Sequence, residues 1–385
     1  MPEARYNTDR PPATDNRHDM DNLTHTLFGL TAAKTGLERA TPLATTTLLI
    51  ASNLPDIDSA MRFRGTFVDL ETHRGFTHSF VGLLILSLLL TLVLVFLDKR
   101  FRLRHDMFRR PIRPLRIFAL AYLAGLCHLF MDFPNNYGVR PLLPFSGRWF
   151  YGDLVFVVDP WIWLILGGAA MWLTTNGGAR IVVWTIIGII MSLLVAFALQ
   201  QPSDHFPTIP LGLRVIWFIA LALVIVAALR GWGQAGERVA RYALVVLLIY
   251  WGGMWFAKQT AVDQARGALP AENIHALSVW PTPANPLLWQ AVAVNNETVY
   301  SGYINITGAR IDWREAPVLD PRLADALRSS PRTRPFMNFA RYTVSNVEET
   351  PDGYSVTLRD VRFDLKLHAL LDQGLAVKLA DLTWF

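Results

Sequence analysis

Histidines and carboxylates gather in this sequence where apolar runs start or stop, in combinations suited to holding a divalent cation. In Asn53-Leu54-Pro55-Asp56-Ile57-Asp58, Pro55 ends a helix and two carboxylates follow at spacing i, i+2, placing hard oxygen donors on a short turn. The plain alternative is a solvated turn in which Asp58 caps the next segment. In Asp69 to Ser79, His73 and His78 stand five apart with Gly75 between them, so a turn can bring both onto one ion or onto adjacent ions. The alternative there is a polar loop whose Thr77 and Ser79 cap a helix. His128 and Asp132 lie at i, i+4 inside an apolar run, on one helix face. Ionisable groups inside a membrane segment are costly unless paired, so function is the default reading. Thr24-His25-Thr26 opens the first apolar stretch, and His25 gains meaning only in the company of the others.

The candidate metal ligands are therefore His25, Asp56, Asp58, His73, His78, His128 and Asp132, with Asp153 as a further carboxylate in the loop from Asn135 to Pro160. Asp58 is the candidate general base. Arg74 is the candidate catalytic and substrate-positioning cation, and Arg140 and Arg148 are candidates for binding an anionic substrate. The only cysteine, Cys127, lies in an apolar run, which excludes an internal disulfide and a multi-cysteine cluster. A His and Asp donor set without Cys suits Zn²⁺ first, with Mn²⁺ or Fe²⁺ as alternatives.

What must position these residues is a membrane. The chain has 385 residues, 52% hydrophobic and 17% charged, too apolar for an ordinary soluble protein of this size. Spans are expected at Ser79 to Leu97, Ile117 to Phe133, Trp161 to Thr174, Ile181 to Leu199, Leu211 to Leu229 and Tyr242 to Phe256. The net charge of +5 is concentrated in the loop from Asp98 to Arg116. The positive-inside rule places that loop in the cytoplasm, near anionic lipid, and no nucleic-acid partner is expected. Alternation then puts His25, Asp56, Asp58, His73, His78, His128 and Asp132 at the outer ends of their helices, with Asp153 in a loop on the same face. Residues 23–54 read as a short helical hairpin covered by the other helices. Residues 1–22 are expected to form a disordered tail, in which Met20 is an alternative start. Residues 258–385 change character to strand-like runs at Leu288 to Ala293, Thr298 to Ile306, Ala340 to Val347 and Tyr354 to Phe363, with a helix near Arg322 to Ser329. The expected architecture is mainly α: a polytopic helical bundle over 23–257 that carries the site, followed by a small extracytoplasmic α+β domain.

The run Asp21 to Thr26, the Leu54-Pro55-Asp56-Ile57-Asp58 turn, His73-Arg74-Gly75-Phe76-Thr77-His78-Ser79, His128 with Asp132, and the stretch Tyr137 to Trp161 resemble the YdjM family of bacterial inner-membrane proteins, over about the first 260 residues. The resemblance implies a multi-pass inner-membrane, metal-dependent hydrolase. A more distant similarity is to zinc-dependent phospholipase C and single-strand nucleases of the P1 type, where a helix also supplies a His-x-x-x-Asp pair. Location at the outer boundary favours membrane lipids as partners, with a lipid or lipid-linked phosphoester as substrate. The rival expectation is a non-enzymatic metal-sensing regulator or metal transporter. A transporter should line a path with polar groups, whereas here they cluster at one end.

Overall fold

The computed structural model describes residues 22–101, 111–174, 178–196, 208–231, 236–308, 311–363 and 365–383. The expected tail (all but its last residue), residues 102–110 of the basic loop and His205 lie outside the described residues.

Among the described residues, four helices are long and apolar enough to cross a membrane: α4 (Phe80–Phe101), α5 (Pro114–Asp132), α8 (Leu211–Leu229) and α9 (Glu237–Gly267). Two further helices expected to span, α6 (Pro160–Thr174) and α7 (Gly178–Ala196), form as apolar helices, but their apolar stretches are shorter. α4 starts directly after His78 and α5 ends at Asp132, and the two pack against each other as an antiparallel pair. Both site-bearing ends therefore meet, while Lys99, Arg100, Arg113 and Arg116 lie about 30 Å away at the other end, as a helix of this length requires.

The first apolar stretches fold as the expected hairpin, α1 (Asn22–Lys34) and α2 (Ala44–Ala51), packed against α5, α6 and α9. Its tip reaches the basic end: Arg113 N–H donates to Thr41 Oγ1 and Arg116 Nη1 to the Ala40 carbonyl. Its open end carries His25 on one arm and leads from the other into a 3₁₀ segment, Leu54–Arg64, that holds Asp56 and Asp58. A short helix α3 (Thr66–Thr72) and a 3₁₀ turn, Phe76–His78, then lead into α4. Gly82 lets that turn lie on the first turn of α4, since a Cβ there would collide with the Phe76 carbonyl oxygen.

The helical part does not stop at residue 257 as expected. α9 continues to Gly267 and abuts the first sheet. That sheet is an antiparallel meander of β1 (Ala276–Thr282), β2 (Asn285–Val294), β3 (Thr298–Asn305) and β4 (Arg314–Pro317). Two helices, α10 (Pro321–Ser329) and α11 (Arg334–Phe339), separate it from a second meander of β5 (Thr343–Thr350), β6 (Gly353–Asp360), β7 (Leu365–Asp372) and β8 (Val377–Thr383). The strand runs read from sequence fall on β2, β3, β5 and β6, and the helix on α10. The edge strand β4 offered no apolar pattern to read, being short and led by Arg314 and Glu315. The fold is thus mainly α with a C-terminal α+β domain.

Candidate metal centre

The open end of the hairpin, the 3₁₀ segments and the paired ends of α4 and α5 converge on one buried cluster. Asp56, His78, His128 and Asp132 each turn one donor atom inward, and these atoms all lie within 4.8 Å of one another. His78 Nε2 is 3.1 Å from Asp56 Oδ1, 3.1 Å from His128 Nε2 and 3.5 Å from Asp132 Oδ2. His128 Nε2 is 3.3 Å from both Asp56 Oδ1 and Asp132 Oδ2. A tetrahedron with about 2.0 Å from centre to corner, the Zn–N and Zn–O distance, has edges of about 3.3 Å. The side chains are 0–4% exposed.

Tautomers explain why this arrangement suits a cation. His128 Nδ1 lies 2.8 Å from the Ser52 carbonyl oxygen, which can only accept, so Nδ1 carries the proton and Nε2 is bare when the ring is neutral. His78 Nδ1 faces Asp58 Oδ2 at 3.2 Å, an acceptor that fixes the same tautomer. Two bare imidazole nitrogens and two carboxylate oxygens then point at one another without a donor among them. Asp56 Oδ2 and Asp132 Oδ2 are buried without a hydrogen-bond partner. A proton or a metal cation resolves the conflict, and the donor set fits a divalent ion.

The remaining candidates are arranged around these four. Asp58 stands behind His78: besides facing His78 Nδ1, it accepts from Thr77 Oγ1 at 2.7 Å and lies 3.4 Å from His73 Nδ1. Burial alone would raise its carboxyl, but hydrogen bonds from His73 and His78 outweigh burial and hold it below the usual carboxylate range. Burial would likewise lower His78, and the hydrogen bonds to Asp56 and Asp58 raise it instead, so the pocket favours positive charge at this ring. His25 stacks on His128 at 3.8 Å and places Nε2 3.5 Å from Asp132 Oδ1. Asp58, His73 and His25 therefore orient the inner four, as metal-site partners do.

Arg74 is not available to a substrate in the way its sequence position suggested. It is buried; Nη2 donates to Asp132 Oδ1 at 2.8 Å, Nη1 donates to Asn135 Oδ1 and the Gly138 carbonyl at 3.0 Å each, and the guanidinium lies 4.6 Å from the Tyr137 ring centroid. Its φ of 49° is a left-handed conformation that non-glycine residues seldom take, and the pinned guanidinium holds it there. Arg140 donates to the carbonyls of Glu71 and His73 and lies over Trp149, so it braces the loop that presents His73. Arg148 is exposed, over Phe150. Asp153, expected as a ligand, is not among the converging residues: both its oxygens accept from Arg341 Nη1 at 2.9 Å, a partner 188 positions away in the C-terminal domain. Sequence reasoning had no signal for that pair. It also missed Asn135, whose only trace was the turn-like Pro134-Asn135-Asn136-Tyr137-Gly138.

The sequence profile described as "YdjM inner membrane protein" matches this chain over the hairpin, the cluster and α4 to α7. Residues 20–203 match the YdjM family. The match ends before α8, short of the roughly 260 residues that the motifs suggested, and it includes all four converging residues. The uncharacterized protein YfhP of Bacillus subtilis (strain 168) is 28% identical over 165 residues, 40% of this chain and 46% of that protein. The chain thus spans about half the length of the curated relative it matches. No solved structure matches the chain. YdjM similarity, the long apolar helices and a buried donor cluster that could hold a metal ion together fit a membrane protein with a metal site.

Proposed function

We propose that the protein is a multi-pass, metal-dependent hydrolase that cleaves a phosphoester of a lipid or lipid-linked substrate at the outer face of the cytoplasmic membrane. The observation that carries this reading is the convergence of His78, His128, Asp132 and Asp56 with no donor among their inward atoms. His78, His128 and Asp132 make a two-histidine, one-carboxylate set of the kind that leaves an ion an open position, and Zn²⁺ is the best match. A bound ion supplies Lewis-acid chemistry, stabilising charge on a phosphoryl or carbonyl oxygen. Asp56, with one unpartnered oxygen in the pocket, takes the proton of the attacking water as the bond to the leaving group breaks, and returns it to the departing oxygen. This role falls to Asp56 rather than to Asp58, which is occupied by His73, Thr77 and His78. His25 and Arg74 hold Asp132.

The lipid part of the reading rests on surroundings. Ile57, between Asp56 and Asp58, is 57% exposed; Phe63 and Phe145 are 89% and 87% exposed. Arg62, Arg64 and Arg148 stand among them in sequence. Apolar side chains mixed with arginines at helix ends suit a bilayer interface. The basic residues at the opposite ends of α4 and α5 support the outer location.

One observation favours a second reading, a non-enzymatic metal sensor: if Asp56 ligates as well, four protein donors close the coordination shell, as in structural sites. The deciding experiment is metal analysis of detergent-purified wild type beside His78→Ala, His128→Ala and Asp56→Asn, with a phosphodiesterase and lipid-hydrolysis screen on the same samples. The hydrolase reading expects metal loss in both histidine variants, and retained metal with turnover reduced about 10²- to 10⁴-fold in Asp56→Asn. Equal metal content in all four proteins would remove the site. Metal loss from Asp56→Asn as well, with no hydrolysis by wild type, would favour the sensor.

A further inference from the structure

The C-terminal domain meets the membrane domain through a fully buried ion pair whose geometry leads back to the metal centre. Arg362 and Asp360 are both 0% exposed. Arg362 donates from Nε and Nη2 to the Asp360 carboxylate, and from Nη2 to the Phe339 carbonyl at 2.7 Å. Its remaining arm, Nη1, crosses to the membrane domain and donates to the carbonyls of Asn136 at 3.1 Å and Tyr137 at 3.4 Å. A buried ion pair is a poor source of stability, because desolvation offsets most of the attraction. Here its fork is spent on holding a turn.

That turn, residues 135–138, is gripped on two sides. Outward, its carbonyls accept from Arg362. Inward, Asn135 Oδ1 accepts from Arg74 Nη1 and from the N–H groups of Tyr137 and Gly138, while the Gly138 carbonyl accepts from Arg74. Gly138 has φ 87°, which a side chain would resist, and a Cβ there would meet the Tyr151 ring. The Tyr137 ring completes the clip, with its centroid 4.6 Å from the Arg74 guanidinium, 5.1 Å from His73 and 4.8 Å from Phe339 of the C-terminal domain. Arg74 in turn holds Asp132 at 2.8 Å.

We infer that Arg362 is a positioning residue of the metal centre: through the 135–138 turn and Arg74 it sets the place of Asp132, so that docking of the C-terminal domain tunes metal affinity. This rests on the metal-centre reading. It gives the C-terminal domain a role that lies outside the YdjM-matching residues, and it makes the domain part of the site without supplying a ligand.

The test is a Co²⁺ titration of the full-length, detergent-purified protein, read by the visible absorption of the bound ion. Wild type is compared with Arg362→Met, Asn135→Ala, the double variant, and Arg341→Met. Partners behind a metal ligand typically change affinity by about 10- to 100-fold, and that loss is expected for Arg362→Met and for Asn135→Ala, with an altered absorption band in each. Because both act on one turn, the double variant should be no weaker than the worse single variant. Arg341→Met removes another contact between the domains, the one to Asp153, and should stay within about twofold of wild type, as an independent site would. Unchanged affinity in Arg362→Met, full additivity in the double variant, or an equal loss in Arg341→Met would overturn the inference. If Arg362→Met does not fold, Arg362→Lys, which keeps the charge opposite Asp360 but withdraws the fork, is read by the same criteria. Failure of wild type to bind Co²⁺ would remove the metal centre itself, a result distinct from wild-type binding with indifferent Arg362 variants.

Discussion

At the scale of single residues, the centre is decided by which nitrogen of each histidine is free. Asp58 and Ser52 hold the outer nitrogens of His78 and His128, so both inner nitrogens face one point. Replacing Asp58 with Asn removes the negative charge behind His78 and one of the two oxygens that serve His73 and Thr77. Metal affinity should fall by about 10-fold or more, measured by Zn²⁺ competition on purified protein, and wild-type affinity in Asp58→Asn would show that Asp58 does not orient the ring. The residue types were legible in the sequence: His25, Asp56, His78, His128 and Asp132 could be picked out because charged groups stand where apolar runs begin or end. Their ranking was not legible. Asp56 and Asp58 differ by two positions in one 3₁₀ segment, and only the turn of the backbone sends one inward and the other behind His78. Arg74 looked like a substrate anchor for the same reason, since its inward turn depends on a left-handed backbone and on Asn135.

At the scale of elements, the hairpin, α5 and α6 enclose a small cavity beside the centre, lined by His25, Arg74, Asp132, Asn135 and Asp159. Asp159 caps α6 by accepting from the Trp161 N–H at 2.9 Å and takes a 2.7 Å bond from the Tyr250 hydroxyl on α9, so it ties two helices together. Burial pushes its carboxyl up to about 6, against the pull of those hydrogen bonds. The folded protein therefore favours the protonated form. The stabilisation this gives is complete below the ordinary value of 3.8 and is lost as pH rises through about 6. Asp159→Asn keeps the capping oxygen and abolishes the titration. Its melting temperature relative to wild type should rise between pH 4 and pH 7, by the equivalent of at most about 3 kcal/mol. A difference that does not move with pH would show that Asp159 titrates normally. The bond from Tyr250 joins residues 91 apart, and no local pattern in the sequence encodes it.

At the scale of the whole molecule, charge and fold make one claim about direction. The antiparallel packing of α4 and α5 separates Lys99, Arg100, Arg113 and Arg116 from the metal centre by the length of a span, and the C-terminal domain docks on the centre's side through Arg341 with Asp153 and Arg362 with the 135–138 turn. If basic ends stay in the cytoplasm, the centre and the C-terminal domain must both face outward, whatever number of the shorter helices cross fully, because they are fixed to each other. Single cysteines placed at Asp352, in the exposed turn between β5 and β6, and at Lys99, at the exposed end of α4, report the two sides independently in a Cys127→Ser background. A membrane-impermeant maleimide should label Asp352→Cys in intact spheroplasts and Lys99→Cys only after permeabilisation. The reverse pattern would turn the molecule over and place the substrate in the inner leaflet, leaving the metal centre intact but its proposed lipid on the wrong side. Labelling of both from outside would mean that the α4 and α5 pair does not cross the membrane, and the outer-face hydrolase would lose its physical basis.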